Sequence, residues 1–316
     1  MRRVVNKAFS RRSRADLEHR VRAIAADLVD GFAADGRAEF VSRFGFPLPL
    51  RVILNLLGAP EKDRAELKRW SGDWIALVLL PLSPAEQDQT VSRLQECGRY
   101  WTDLIEARRA NPQDDLISDL VAASAQEPEP IPTPQLVNTC ATLTLAGHET
   151  TANLLGNCLR QLLMRPEQWR QICADPADIP RAVEEVLRAD TSVHALMRTT
   201  TEPVELGGVA LPQGARLALL FASANHDDTY FPDAARFDLH REQTKPHLAF
   251  GHGIHHCVGA PLARLEVQVA LELLSTRLSA LRLAAGQEFD WVVNPIHRGL
   301  RQLHIEWDSG TAVQDQ

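Results

Sequence analysis

The chain has 316 residues, 45% of them hydrophobic and 24% charged, with a formal net charge of −7. That composition suits a globular protein with a sizeable core. The acidic balance gives no support for a nucleic-acid partner, and the longest apolar run, Trp74 to Leu82, is too short to cross a bilayer, so no membrane partner is expected.

The first residues, MRRVVNKAFSRRSR, carry six basic side chains ahead of the first acid, Asp16. They fit either an Arg-rich transit peptide or a basic helix that continues into ADLEHRVRAIAADLVDGF. The helix is preferred, because Leu17, Val21, Ile24, Leu28 and Phe32 recur at helical spacing with no cleavage-like break. SPAEQDQTVSRLQECGRYWTDLIEARRA reads as a long helix behind a serine cap, and QEPEPIPTPQ as a proline-broken connector. Thr133 is expected to cap the next helix, with Pro134 at its first position and Arg165-Pro166 stopping it after Met164. Such a helix spans roughly 48 Å, enough to cross a whole domain. A short helix follows, then one from about Ile179 to Ala189. After Thr199 the pattern alternates and turns at Gly207-Gly208 and Gln213-Gly214, which predicts short strands. Cys257 is expected to open an amphipathic helix with Leu262, Leu265, Val269 and Leu273 on one face. LRLAAG, FDWVV and LRQLHIEW read as closing strands. There is no internal repeat, and the chain reads as mainly helical with a small β region. The five cysteines, Cys97, Cys140, Cys158, Cys173 and Cys257, are scattered and include no CxxC pair, which fits a reducing cytoplasm.

Three constellations carry the chemistry. In HLAFGHGIHHCVGAPLAR, the residues Phe250, Gly251, Gly253, His255, Cys257 and Gly259 stand as F-G-x-G-x-H-x-C-x-G. The glycines let backbone pass close to a flat ligand and tolerate positive φ. A cysteine at a helix start is biased toward thiolate, the form a haem iron needs. A lone cysteine is more often a small buried hydrophobe, and HGIHHC also suggests zinc, but its ligands are too crowded to wrap a tetrahedral ion. The second constellation is AGHETT, Ala146 to Thr151, inside the long helix. Gly147 and the threonines can open the hydrogen-bond ladder there, leaving a hydroxyl and the Glu149 carboxylate facing a cavity as a proton relay. The plain alternative is a solvated glutamate and two helix threonines. The third is Glu185-x-x-Arg188, one pair on one helix face, which Arg236 or Arg241 is placed to complete as a buried Glu-Arg-Arg cluster.

In this order and context the three motifs resemble the cytochrome P450 family, of the soluble bacterial type. The resemblance extends through VELGGVALPQGARLALLFASANHD and RGLRQLHIEW and covers essentially the whole chain. It implies the P450 fold, with a long central helix I and haem b held between helices I and L. Cys257 matches the axial thiolate ligand of the iron, and Phe250 the aromatic residue beside that sulfur. Arg198 and His255 match partners of the haem propionates, and Arg2 a third. Gly251, Gly253 and Gly259 belong to the cradle. Thr150 and Glu149 match the alcohol and acid that supply protons. Glu185 and Arg188, with Arg236 and Arg241, match the structural cluster. Leu143, Ala146, Val193, Ala195 and Ile296 match positions lining the substrate pocket. The implied reaction is monooxygenation, by hydroxylation or epoxidation, of a hydrophobic small molecule in bacterial secondary metabolism. One atom of O2 enters the substrate and the other leaves as water. Electrons come from a ferredoxin and a ferredoxin reductase, since no flavin or iron–sulfur motif is present. Arg2, Arg3, Lys7, Arg11 and Arg12 form a candidate docking patch for the ferredoxin.

The sequence departs from the family mainly at its start, which resembles helix C. The expectation is a single domain over residues 1–316, N-terminally truncated, with the β-rich amino-terminal part and the B–C loop missing. Apolar surface normally covered by that part is expected to be bare. Lesser departures are His226 in place of arginine, Ala234 in place of proline, and the proline-free DTSVH. The reading that competes with an active enzyme is a haem-binding or non-catalytic remnant of a P450.

Overall fold

Apolar periodicity decides most elements of the computed structural model, which describes residues 1–242, 246–294 and 296–308. Helix α1 (Arg2–Ser10) buries Val4, Val5 and Ala8. The chain then breaks, and α2 (Arg14–Asp30) starts afresh behind Ser13, whose hydroxyl accepts the Asp16 N–H at 3.0 Å. The single basic helix expected from the sequence is therefore two. Arg12, in the break, turns inward to Asp114 and Asp119, at 2.6 and 2.8 Å. Helix α3 (Pro47–Leu57) buries Leu48, Leu50, Val52, Ile53, Leu54, Leu56 and Leu57. Its polar strip is narrow, Arg51 and Asn55, turned outward to Asp27 and Arg20.

Helix α4 (Arg64–Leu79) pairs with α5 (Pro84–Ala110), whose start carries the capping box of Ser83 and Glu86. Helix α6 (Leu116–Ala125) is capped by Asp115. Helix α7 (Thr133–Leu163) is the long helix expected. Its cap position is Pro132, one residue earlier than the sequence suggests, and the Thr133 hydroxyl instead accepts from Arg109 at 2.8 Å. Helices α8 (Pro166–Ala174) and α9 (Ile179–Ala189) follow, then α10 (Phe221–Ala224) and α11 (Ala260–Arg277).

The strands are short. β1 (Arg37–Glu39), β7 (His304–Glu306) and β6 (Arg282–Leu283) form one antiparallel sheet in that order. β2 (Ala195–Thr199) pairs with β5 (Arg216–Leu220), and β3 (Val204–Leu206) with β4 (Val209–Leu211) across the Gly207-Gly208 turn. FDWVV does not form a strand. Trp291 makes one bridge to Leu300, and its ring takes the Arg298 guanidinium at 3.6 Å. Leu196, Met197, Leu219 and Leu220 leave apolar surface open on the β2–β5 ribbon.

Two apolar clusters make the core, and α7 runs through both. Leu136 and Cys140 join its first half to α1, α3, α5 and α6; Leu154, Leu155, Cys158, Leu159 and Leu162 join its second half to α2, α9 and α11. Between them, Gly147 admits α3: a Cβ there would lie 2.9 Å from Ile53 Cγ1. The glycine expected to loosen α7 instead lets a neighbouring helix clamp it.

Candidate active site

The glycine-rich stretch forms a loop packed between α9 and α11. Gly251 and Gly253 take φ of 68° and 70°, a region that L residues enter only at a cost. The loop closes on itself: the Cys257 N–H donates to the Phe250 carbonyl at 2.9 Å, and the His256 N–H to the Gly253 carbonyl at 3.0 Å. Helix α11 begins at Ala260 with Gly259 as its cap, so Cys257 stands just ahead of the helix rather than opening it. The backbone N–H groups of Gly259 and Ala260 nevertheless act to favour the charged form of its thiol. Cys257 lies open on one side with protein packed behind it. That packing raises the thiol above its ordinary pKa, against the lowering pull of the two N–H groups and the Arg2 and Arg264 charges.

Behind the loop lies a network that sequence spacing alone does not show. Glu184 of α9 receives two hydrogen bonds from the Arg264 guanidinium of α11, one of them at 2.9 Å, and the His247 Nε2–H at 3.2 Å. The His247 Nδ1 accepts the Ala249 N–H at 3.2 Å, which fixes its tautomer. The Arg264 guanidinium sits 4.6 Å from the centre of the Phe250 ring, so the network grips the residue whose carbonyl holds Cys257. Burial works to raise Glu184, but the bonds from Arg264 and His247 prevail and hold it at about 2.

The next residue, Glu185, completes the expected structural cluster. Arg188 donates to both its oxygens, at 2.7 and 2.9 Å, and to the carbonyls of Asn225, Ala234 and Arg236. Arg241 adds a bond to Glu185 at 3.3 Å. Arg236 is a correction: its side chain is 66% exposed and turned to Asp238, and only its carbonyl serves the cluster. Ala234 likewise contributes a carbonyl, so losing the family's proline there leaves the cluster intact.

On the other side of the loop, α7 presents an open face. Thr142 and Ala146 are exposed, and Leu143 is half-buried. Leu143, Thr142, Met1, Arg2, Val5 and Val258 line a cleft of about 430 Å³ that borders the cysteine. Arg2 also donates to the His256 carbonyl. Further along α7, the Thr150 hydroxyl donates to the Ala146 carbonyl at 2.9 Å. The helix stays unbroken, so the expected opening of its hydrogen-bond ladder is absent. The Glu149 carboxylate is 24% exposed and lies 3.5 Å from His148 Nε2. Burial pushes Glu149 up, but His148, His297 and Lys68 outweigh it and hold it below the usual carboxylate value. Val193, Ala195 and Ile296 come together on a segment that packs beside α7: the His194 N–H donates to the Ile296 carbonyl at 2.7 Å, Val193 bridges to His297, and Asn157 of α7 donates to the Arg298 carbonyl at 3.1 Å. Arg198 lies on β2 with a bond to the Met197 carbonyl, and His255 is exposed on the cysteine loop.

Haem fits these residues and zinc does not. The donor set is one open thiol just ahead of a helix start, beside an apolar cleft with a cationic rim. Among the described residues no three His, Cys, Asp or Glu side chains gather to hold a metal ion. In the expected docking patch, Arg3 pairs with Glu127, Arg11 with Asp119, Arg12 with Asp114 and Asp119, and Lys7 with Gln126, so these side chains also fasten α1 to α6 and its flanks. Among the described residues no helix is long and apolar enough to cross a membrane.

Comparison with known proteins agrees with this geometry. The family model "Cytochrome P450" matches residues 179–282. "Cytochrome P450 monooxygenase PikC" of Streptomyces venezuelae is 39% identical over 314 residues, covering 98% of this chain and 74% of that protein. "Mycinamicin IV hydroxylase/epoxidase" of Micromonospora griseorubida is 40% identical over 311 residues, covering 97% and 77%. The crystal structure of the Tepidiphilus thermophilus P450 heme domain superposes with a TM-score of 0.90 at 34% identity, covering 98% of this chain and 74% of that one.

Proposed function

This chain belongs to the cytochrome P450 family, the haem b monooxygenases, and we propose that Cys257 would hold the haem through its thiolate, for oxygenation of a hydrophobic small molecule in bacterial secondary metabolism. The observation that carries this reading is the open Cys257 sulfur just ahead of α11, in a loop pinned by the Phe250 carbonyl. When bound, haem supplies dioxygen activation and transfer of one oxygen atom, chemistry that no side chain here offers.

The chain's own residues divide the remaining work. Gly251, Gly253 and Gly259 keep side chains off the cradle, and Phe250 shields the sulfur. Arg2, Arg198 and His255 offer positive or hydrogen-bonding groups to the haem carboxylates. Glu149 and Thr150 hold and pass protons toward the open face of α7; the Thr150 hydroxyl, donating to Ala146, keeps its lone pairs free to accept. Leu143, Ala146, Val193, Ala195 and Ile296 orient an apolar substrate and exclude water. The reaction is hydroxylation or epoxidation, in line with the name of the mycinamicin relative. A ferredoxin and its reductase supply the electrons.

The test is a reduced, carbon-monoxide difference spectrum of the haem-loaded protein. A thiolate-shifted Soret band is expected in the wild type and is expected to vanish in Cys257→Ala. A band that survives in the variant overturns the assignment.

A further inference from the structure

His148 lies wholly inside α7, with no exposed surface. Its Nδ1 is 2.6 Å from the Thr144 carbonyl oxygen. A carbonyl can only accept, so Nδ1 carries a hydrogen. In a neutral ring that leaves Nε2 as a bare lone pair. Nε2 has no hydrogen-bond partner, yet Glu149 Oε1 is 3.5 Å away. A lone pair facing a carboxylate, with no water-exposed surface on the ring, is repulsive and costly. The surroundings give the ring no other relief. Phe46 packs against it at 5.2 Å in an edge-to-face arrangement. Lys68, seated 4.2 Å over the Phe46 ring, and His297 act on Glu149 rather than on Nε2.

We propose that His148 and Glu149 share one proton across this gap, so that α7 stores a proton immediately beside Thr150. With the proton on Nε2, both ring nitrogens are donors and the pair is an imidazolium facing a carboxylate. His148 has no exposed surface from which to reach a ligand; it is a positioning residue that acts through Glu149. When Glu149 takes the shared proton and passes it outward, His148 is left neutral. Solvent reaching the part-open carboxylate then returns one proton to the pair. No electrons move, and each proton lost is matched by one gained.

The proposal deepens the proton-handling role given to Glu149, and its test separates the two. The haem-loaded protein is prepared with 15N-labelled histidine and held in the reduced, carbon-monoxide-bound form, which is diamagnetic. Nitrogen–proton correlation spectra then report which ring nitrogens of His148 carry hydrogen. At neutral pH both are expected to be protonated, and Glu149→Gln is expected to abolish the Nε2–H signal while the Nδ1–H remains. A His148 with bare Nε2 in the wild type, or an Nε2–H that survives in Glu149→Gln, overturns the shared proton. If Glu149→Gln removes the signal yet leaves turnover at the wild-type rate, the shared proton stands and the catalytic role of Glu149 falls.

Discussion

Replacing Glu184 by glutamine tests how much the network behind the cysteine loop contributes. Burial opposes ionisation of this carboxyl, but the bonds from Arg264 and His247 hold it at about 2 against an ordinary 4.5. At about 1.4 kcal/mol per pKa unit, the ionised group favours the folded state by about 3 kcal/mol at neutral pH. The Glu184 and Arg264 side chains are 23% and 31% exposed, and solvent screening trims the figure to about 2 kcal/mol. Because the folded value lies below the unfolded one, the contribution is complete well above pH 4.5 and is lost as pH falls toward 2. Urea unfolding of wild type and Glu184→Gln at pH 7 should differ by about 2 kcal/mol, and near pH 3 by about half of that. A gap that does not narrow with acid would refute the electrostatic argument and leave only lost packing.

Three further substitutions test the packing and the buried cluster. Alanine in place of a helix glycine ordinarily gains about 1 kcal/mol. Gly147→Ala should instead lose about 1–2 kcal/mol, because the new methyl meets Ile53; a raised Tm would show that α3 can yield. Arg188→Lys keeps the charge but cannot reach Glu185 and three carbonyls at once, and should cost about 3 kcal/mol or more. Arg236→Ala should change stability by no more than about 0.5 kcal/mol. Equal effects in the two arginine variants, read by chemical denaturation, would contradict the cluster as described.

Much of the architecture was legible because it is written in local signals. Helix α7 is bounded by Pro132 and Pro166, and α9 matches the expected Ile179–Ala189. The Ser83 capping box and the Gly207-Gly208 turn sit where their residues require them. What stayed hidden was set by distant partners. The break between α1 and α2 depends on Arg12 meeting acids about a hundred positions away. FDWVV has strand-like composition but meets no partner strand, and Trp291 settles on Arg298 instead. The cysteine motif named the cradle, while spacing gave no sign that Glu184 reaches His247 and Arg264 across the fold. The Glu184-Glu185 doublet and the His and Arg of the quoted stretch were the available signal. Arg236 shows the opposite limit: composition nominated a side chain where the structure uses a carbonyl.

The ion pairs that fasten α1 are not equally protected. Arg12 and Asp119 show only 10% and 17% of their side chains to solvent, whereas Arg3 shows 75%. Dissolved electrolyte weakens exposed pairs first. Rising ionic strength should therefore release the first turn of α1 while its far end stays moored through Arg12. That first turn carries Arg2 to the His256 carbonyl. Buffer composition thus acts on the cysteine loop from its rim, through the helix whose Arg2 charge also favours the thiolate.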